Sequence, residues 1–371
     1  MDAATDTAVP AVTAADQLLA EGTNLLEAAG VQTPRLDAEV LLAAACGIDR
    51  AALYARGREA VPPACRDRFS SMLARRGARE PMQYIVGRQE FWSLDFLVTR
   101  DVLIPRPETE CLVECAIEAL RGFPFPQGAL HKKAGNRRAP FDTTPEKMGS
   151  TQRERQKRLT MHTQPLALSS RPLWRRIEVR PLESFCAKLS SGAGQGEEKR
   201  CAAQPLTVCD LGTGSGCIAV ALACELSGAE IWALDSSRPA LAVAMTNARR
   251  HLVADRIRFV ESDLFAAVDG QCFDAIIANP PYVSSLELER LQPELAWEPR
   301  HALDGGPAGL DVIRRLVSAA PEFLVDGGWL IMEIGADQPE TVRALAESAQ
   351  FSEVSVRADY AGLPRVLLAR R

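Results

Sequence analysis

The sequence predicts an α/β chain, a doubly wound sheet preceded by a small helical domain, and three stretches carry that prediction. Residues 206–211 form a short apolar run that enters Gly212-Thr213-Gly214-Ser215-Gly216 and then the helix-like Cys217-Ile218-Ala219-Val220-Ala221-Leu222-Ala223. Residues 230–234 form a second apolar run that stops at Asp235. Residues 273–278, apolar and β-branched, lead into Asn279-Pro280-Pro281-Tyr282. Strands covered on both faces read as such continuous apolar runs. Open sheets of this kind bind ligands at the carboxyl ends of their strands.

The elements follow in order. Residues 14–29 place Leu18, Leu19, Leu25 and Leu26 on one helical stripe, with Gly30 as a stop. Residues 36–46 repeat the pattern before Gly47, and residues 63–76 give another helix. Residues 1–87 are therefore expected to form a helical bundle, serving either as a packing module or as a substrate-docking domain. Residues 91–98 and 102–104 pattern as a β-hairpin, and residues 111–120 as a helix. Residues 88–122 would link the bundle to the sheet.

Residues 123–205 break this regularity. Residues 126–205 carry 16 Lys and Arg against 7 Asp and Glu, although the whole chain has a net charge of −5. Low periodicity and many turn formers predict a largely disordered basic insertion. A solvated excursion is the stronger reading and weak contact with RNA the lesser one. Such an excursion adds little loop-closure entropy to the fold on either side. Residues 206–371 then supply strands near 206–211, 230–235, 256–261, 273–278, 328–334, 352–358 and 365–369, alternating with helices.

The strand ends carry the chemistry. A glycine-rich turn between strand and helix lets a ligand approach the backbone and the helix N-terminus. The G-x-G-x-G spacing followed by Cys217 departs from the dinucleotide fingerprint. Asp235, about 20 residues beyond the loop, suits the two hydroxyls of a ribose; it could instead cap the next helix, a task open also to Ser236 or Ser237. After residues 256–260, Leu264 offers an apolar wall and Asp263 an acceptor for an adenine, or both are ordinary sheet-edge residues. The prolines after Asn279 stiffen the loop and leave carbonyls free to accept hydrogen bonds, an arrangement suited to gripping a planar NH2 group.

These motifs, in this order, resemble those of a known family. D-L-G-T-G-S-G at residues 210–216, the acidic strand end at Asp235, S-D-L-F at 262–265 and N-P-P-Y-V at 279–283 look like the HemK-type protein-glutamine N5-methyltransferases. Pro81-Met82-Gln83-Tyr84-Ile85-Val86-Gly87, Leu103-Ile104-Pro105-Arg106-Pro107-Glu108-Thr109-Glu110, Glu298-Pro299, Gly305-Gly306 and Glu333-Ile334-Gly335 with Gln338 extend the similarity over about residues 15–122 and 205–371.

The resemblance implies a Rossmann-like S-adenosylmethionine (SAM)-dependent methyltransferase domain with a seven-stranded mixed sheet. Its implied substrate is a peptide chain release factor, methylated on the glutamine of the GGQ motif. The cofactor would rest on Gly212, Thr213, Gly214, Ser215, Gly216, Asp235, Asp263, Leu264 and Asn279. Asn279 and Pro280 would be catalytic, with the Asn279 oxygen and the Pro280 carbonyl accepting the two amide N–H groups, while Pro281 and Tyr282 pack on the substrate. Arg106, Glu108 and Glu110 either favour the start of a helix or close the pocket. Glu298 and Arg300 are candidates to face the incoming peptide.

Other readings stay open on these residues. N-P-P-Y also serves adenine N6-methyltransferases, but those usually carry a basic groove-contacting domain, and outside the insertion this chain is acidic. A ribosomal-protein glutamine methyltransferase and a non-catalytic SAM-binding scaffold are the remaining alternatives. With 47% apolar and 25% charged residues the composition is that of a soluble protein. No apolar run approaches a membrane span, and residues 1–6 lack a signal-peptide pattern. Ten cysteines without a C-x-x-C pair and four scattered histidines predict reduced thiols in the cytoplasm and no metal; a monomer is a separate expectation that these residues do not carry.

Overall fold

A computed structural model describes residues 14–55, 59–120 and 205–371. The expected insertion over residues 123–205 lies, except for Pro205, outside the described residues, as does the start of the chain. All described residues fall within one compact unit.

Five helices begin the fold: α1 (Ala15–Ala28), α2 (Pro34–Cys46), α3 (Arg50–Ala55), α4 (Pro63–Gly77) and α5 (Met82–Val86). Pro34 opens α2, where its missing N–H is harmless, and Gly47 closes it in the left-handed conformation. Leu19, Leu26, Leu41, Leu42 and Phe69 form the core of this bundle. The short helices α3 and α5 lie where no periodic pattern foretells them.

A two-stranded hairpin follows, β1 (Arg88–Phe91) with β2 (Leu94–Leu97). This corrects the expected pairing of residues 91–98 with 102–104. Trp92 and Ser93 both adopt positive φ, 54° and 59°, so the chain reverses inside the apolar run. Neither residue type advertises such a turn, whose usual occupants are Asn and Gly. Next comes α6 (Thr109–Leu120).

The sheet contains β3 (Leu206–Leu211), β4 (Ala229–Asp235), β5 (Ile257–Glu261), β6 (Phe273–Ala278), β7 (Leu324–Glu333), β8 (Glu353–Ala358) and β9 (Pro364–Arg370). Their spatial order is β5-β4-β3-β6-β7-β9-β8; the first five are parallel, and β9 runs antiparallel to both β7 and β8. The expected seven-stranded mixed sheet is thus present. Alternate residues of one strand serve opposite faces. On β6, Ala275 and Ile277 join the layer with α6 and α7 (Cys217–Glu225), whereas Ile276 and Ala278 join the layer with α10 (Asp311–Ala319) and α11 (Pro339–Ser348). Coverage on both sides explains why β6 reads as an apolar run from Ala275 to Ala278. Between these layers' elements, α8 (Arg238–Arg250) follows β4, and the one-turn α9 (Ser285–Leu288) follows β6.

Candidate active site

Strand register brings the motif-bearing loops together. Leu211 on β3 pairs with Leu234 on β4 and with Ala278 on β6, and Ala278 pairs with Met332 on β7. The next residue on each strand is therefore Asp235, Gly212, Asn279 or Glu333, and these four stand in one row along the carboxyl edge. Adjacent strands lie about 4.8 Å apart. The row spans the point where the chain order reverses, from β3–β4–β5 on one side to β6–β7 on the other.

The glycine loop is an open cradle. Gly212, Gly214 and Gly216 have φ of 73°, 54° and 79°. A Cβ on Gly212 would meet no atom within 4 Å, whereas one on Gly216 would strike Ala244 at 2.9 Å. The first glycine thus leaves space for a ligand, and the last permits close packing against α8. The intervening side chains turn inward: Thr213 and Ser215 are buried. Thr213 donates its hydroxyl to Asp210 at 2.6 Å, and Ala219 N–H donates to the same oxygen at 3.0 Å. The second oxygen of Asp210, buried beside the loop, has no hydrogen-bond partner among the described residues. Burial pushes the Asp210 carboxyl up to about 7, and an unsatisfied acceptor there favours a cationic or N–H-bearing ligand.

Asp235 accepts from Gly214 N–H and Ser237 N–H, both at 2.8 Å. The cap of α8 is the Ser237 hydroxyl, which accepts from Ala240 N–H. Asp235 is therefore tied to the cradle and keeps further lone pairs for ligand hydroxyls. Ser262 N–H donates to the Asp235 carbonyl, which sets residues 262–264 beside it. Asp263 pairs with Arg315 of α10 in the open at 2.8 Å, and Leu264 stands at φ 50° against the sheet core.

Asn279 is held by residues distant in sequence. Its Nδ2 donates to Thr109 Oγ1 at 3.1 Å; Thr109 Oγ1 donates to Glu333 Oε2 at 2.7 Å; Tyr282 Oη donates to Glu333 Oε1 at 3.1 Å. The Asn279 oxygen accepts no hydrogen bond from the described residues. Behind the loop, Gln338 Nε2 donates to the carbonyls of Tyr282 and Gly309, and Gly335 N–H donates to Gln338 Oε1. Burial raises the Glu333 carboxyl and the Tyr282 phenol above their ordinary ranges.

A family model described as the PrmC N-terminal domain matches residues 17–87, and one described as the methyltransferase small domain matches residues 200–360. The release factor glutamine methyltransferase of Moorella thermoacetica is 36% identical over 356 residues, covering 96% of this chain and 98% of the relative. The protein of the same name from Geobacter sulfurreducens is 36% identical over 346 residues, covering 92% and 91%. That of Burkholderia pseudomallei is 35% identical over 335 residues, covering 89% and 90%. The chain belongs to the release factor glutamine methyltransferase family.

Within this methyltransferase the flanking residues have structural partners that the sequence left undecided. Glu298 does not face outward toward a peptide. It is buried, accepts Ile104 N–H at 3.0 Å and pairs with Arg106, which joins the segment before α6 to the one after Tyr282. Arg300 pairs in the open with Asp304. Glu110 accepts Trp92 N–H at 2.7 Å and so fastens the hairpin turn, while Glu108 is exposed. Thr109, Glu333 and Gln338 have no assigned role in the sequence reading. They stand there only as members of motifs, since their partners come from other strands and loops.

Proposed function

We propose that this chain transfers a methyl group from SAM to the side-chain amide nitrogen, N5, of a glutamine in peptide chain release factors. The observation that carries the reading is the half-committed carboxamide of Asn279, whose nitrogen is held by Thr109 and whose oxygen is free at the carboxyl edge, in strand register with the glycine cradle.

The residues fit the donor. The open face of Gly212 and Gly214, with the backbone of Thr213, Ser215 and Gly216, would take its methionine part beside the orphaned Asp210 oxygen. Asp235 would hold the ribose, and Asp263 and Leu264 the adenine. SAM supplies a methyl group on a positive sulfur, which makes the carbon electrophilic.

A glutamine nitrogen is a poor nucleophile because its lone pair is delocalised into the carbonyl. Asn279 Oδ1 and the Pro280 carbonyl would accept its two N–H groups, which would raise electron density on nitrogen and orient its lone pair toward the methyl donor. In-line placement supplies much of the rate through proximity and orientation. Pro281 and Tyr282 wall the amide plane. Transfer would exchange the donor's C–S bond for the new N–C bond, and one amide proton would leave to solvent, so no strong base is required. Binding of the release factor would fall to the helical bundle of residues 1–87, with the enzyme acting as a monomer in the cytoplasm, where its substrate works.

The test is label transfer from radioactive SAM to purified release factor, to ribosomes and to DNA in separate reactions. The expected result is label in the release factor alone, lost in Asn279→Ala although that variant still folds and binds SAM. Label confined to ribosomes or DNA would overturn the substrate assignment. Unchanged turnover in the variant would overturn the role of Asn279.

A further inference from the structure

We infer that Thr109 and Glu333 are positioning residues that set the polarity of the Asn279 carboxamide, and that the site accepts a substrate amide only while this chain of hydrogen bonds runs one way. The inference rests on the function proposed above.

A carboxamide can be seated in two orientations related by a half turn, and its outline scarcely distinguishes them. One presents C=O to the substrate; the other presents NH2. A glutamine nitrogen brings two donors, so the second orientation would set donor against donor, and substrate binding would lose an acceptor. Something other than shape must choose.

The geometry points to Glu333. Its carboxylate is almost wholly buried and lies next to Asn279 in the edge row. Each oxygen receives one hydroxyl, Thr109 at 2.7 Å and Tyr282 at 3.1 Å. An ionised carboxylate only accepts, so the single Thr109 proton is committed to it. The Thr109 oxygen is then left with lone pairs alone toward Asn279, and only the NH2 half of the amide can satisfy it. Thus Asn279 Oδ1 is turned outward. Tyr282 is fixed by the same anion, so the Asn279 acceptor and the Tyr282 wall of the substrate amide are both set by one group.

The charged and titratable groups around Glu333 are Arg365 from β9, Glu108 from the turn before α6, Cys217 at the start of α7, and Tyr282 itself. Burial outweighs the opposing pull of Arg365 and the two hydroxyl bonds, and the carboxyl titrates above the ordinary carboxylate range. The ionised form, which the polarity requires, is lost as pH falls through that raised value.

The experiment compares full-length Thr109→Val, Thr109→Ser and Glu333→Gln with the parent chain, using SAM and purified release factor. Thr109→Val keeps the side-chain shape and removes the hydroxyl. Its kcat should fall roughly tenfold to a hundredfold, as expected for losing a hydrogen bond to a charged group, with KM for SAM unchanged. Thr109→Ser should recover most of that loss. Glu333→Gln should lower kcat and erase the acid limb of the parent's kcat–pH profile. Circular dichroism melting confirms that each variant folds.

Parental kcat in Thr109→Val, or an acid limb unchanged in Glu333→Gln, would overturn the inference. A parent chain inactive on release factor would instead overturn the proposed function, so the two failures are distinguishable.

Discussion

Asn279 differs from an ordinary strand-end asparagine because half of its amide is committed inside the protein. The residues that present it are 170 positions upstream and 54 positions downstream in the sequence, Thr109 and Glu333, and no local pattern reveals such pairings. The glycine cradle, Asp235 and the N-P-P-Y loop were legible because each motif is contiguous and closes a strand. Asp235 is expected to serve both loop and ligand, since it already receives Gly214 N–H. Asp235→Ala should weaken SAM binding on the order of tenfold or more, with a smaller effect on turnover at saturating SAM, as calorimetry and steady-state kinetics would measure. Asp210 gives a pH signature. Burial raises its folded value to about 7, above the ~3.9 of an unfolded aspartate, so the fold binds the extra proton preferentially. Its contribution to stability is full below the unfolded value and is lost as pH rises through about 7. Without SAM, the melting temperature of Asp210→Asn should therefore gain on that of the parent chain between about pH 4 and 7; parallel curves would contradict the assignment.

The loop after β6 is rigid because other elements close on its backbone as well as because it contains two prolines. A Cβ on Gly309 would fall 2.3 Å from the Tyr282 carbonyl and 2.9 Å from Gln338 Nε2, at a φ of 67°. Only glycine tolerates both the approach and the conformation. Gly309→Ala should therefore displace the loop, destabilise the chain by about 1–3 kcal/mol and depress kcat more than it raises KM for SAM. Denaturant titration with parallel kinetics checks this, and a variant with parental activity would show the loop to be less tightly braced. Element type was readable wherever a period was long or a strand fully covered, as in β3 and β6. The hairpin was misplaced because its reversal is made by Trp92 and Ser93, which depend on tertiary support rather than on local preference. Glu110 and Glu225 supply that support by accepting from Trp92.

Across the whole molecule, charged contacts fasten the helical bundle to the segment that follows the N-P-P-Y loop. Arg76 of α4 is buried, bonds Asp37 of α2 at 2.7 Å and reaches Glu294 at 3.0 Å, while Arg79 also pairs with Glu294 at 2.7 Å. Removing Arg76 leaves Asp37, in a poorly solvated place, with only the Thr33 hydroxyl, while Glu294 keeps Arg79. Arg76→Ala should cost about 3–5 kcal/mol, read as a lower melting temperature, whereas a neutral change would mean that water already satisfies Asp37. The architecture was legible at this scale because the strand–helix alternation of residues 206–371 closes one seven-stranded sheet. The charge clamp was not, since it joins residues 218 positions apart. The central claim, that a substrate carboxamide is held by an asparagine oxygen and a proline carbonyl in line with the methyl donor, is tested most directly by a crystal structure with a non-reactive SAM analogue and a release-factor glutamine peptide. The expected result places the glutamine nitrogen about 2.7–3.2 Å from both Asn279 Oδ1 and the Pro280 carbonyl, with its remaining face toward the sulfur. A glutamine nitrogen turned away from that pair, or an Asn279 presenting its NH2 to the peptide, would contradict the account.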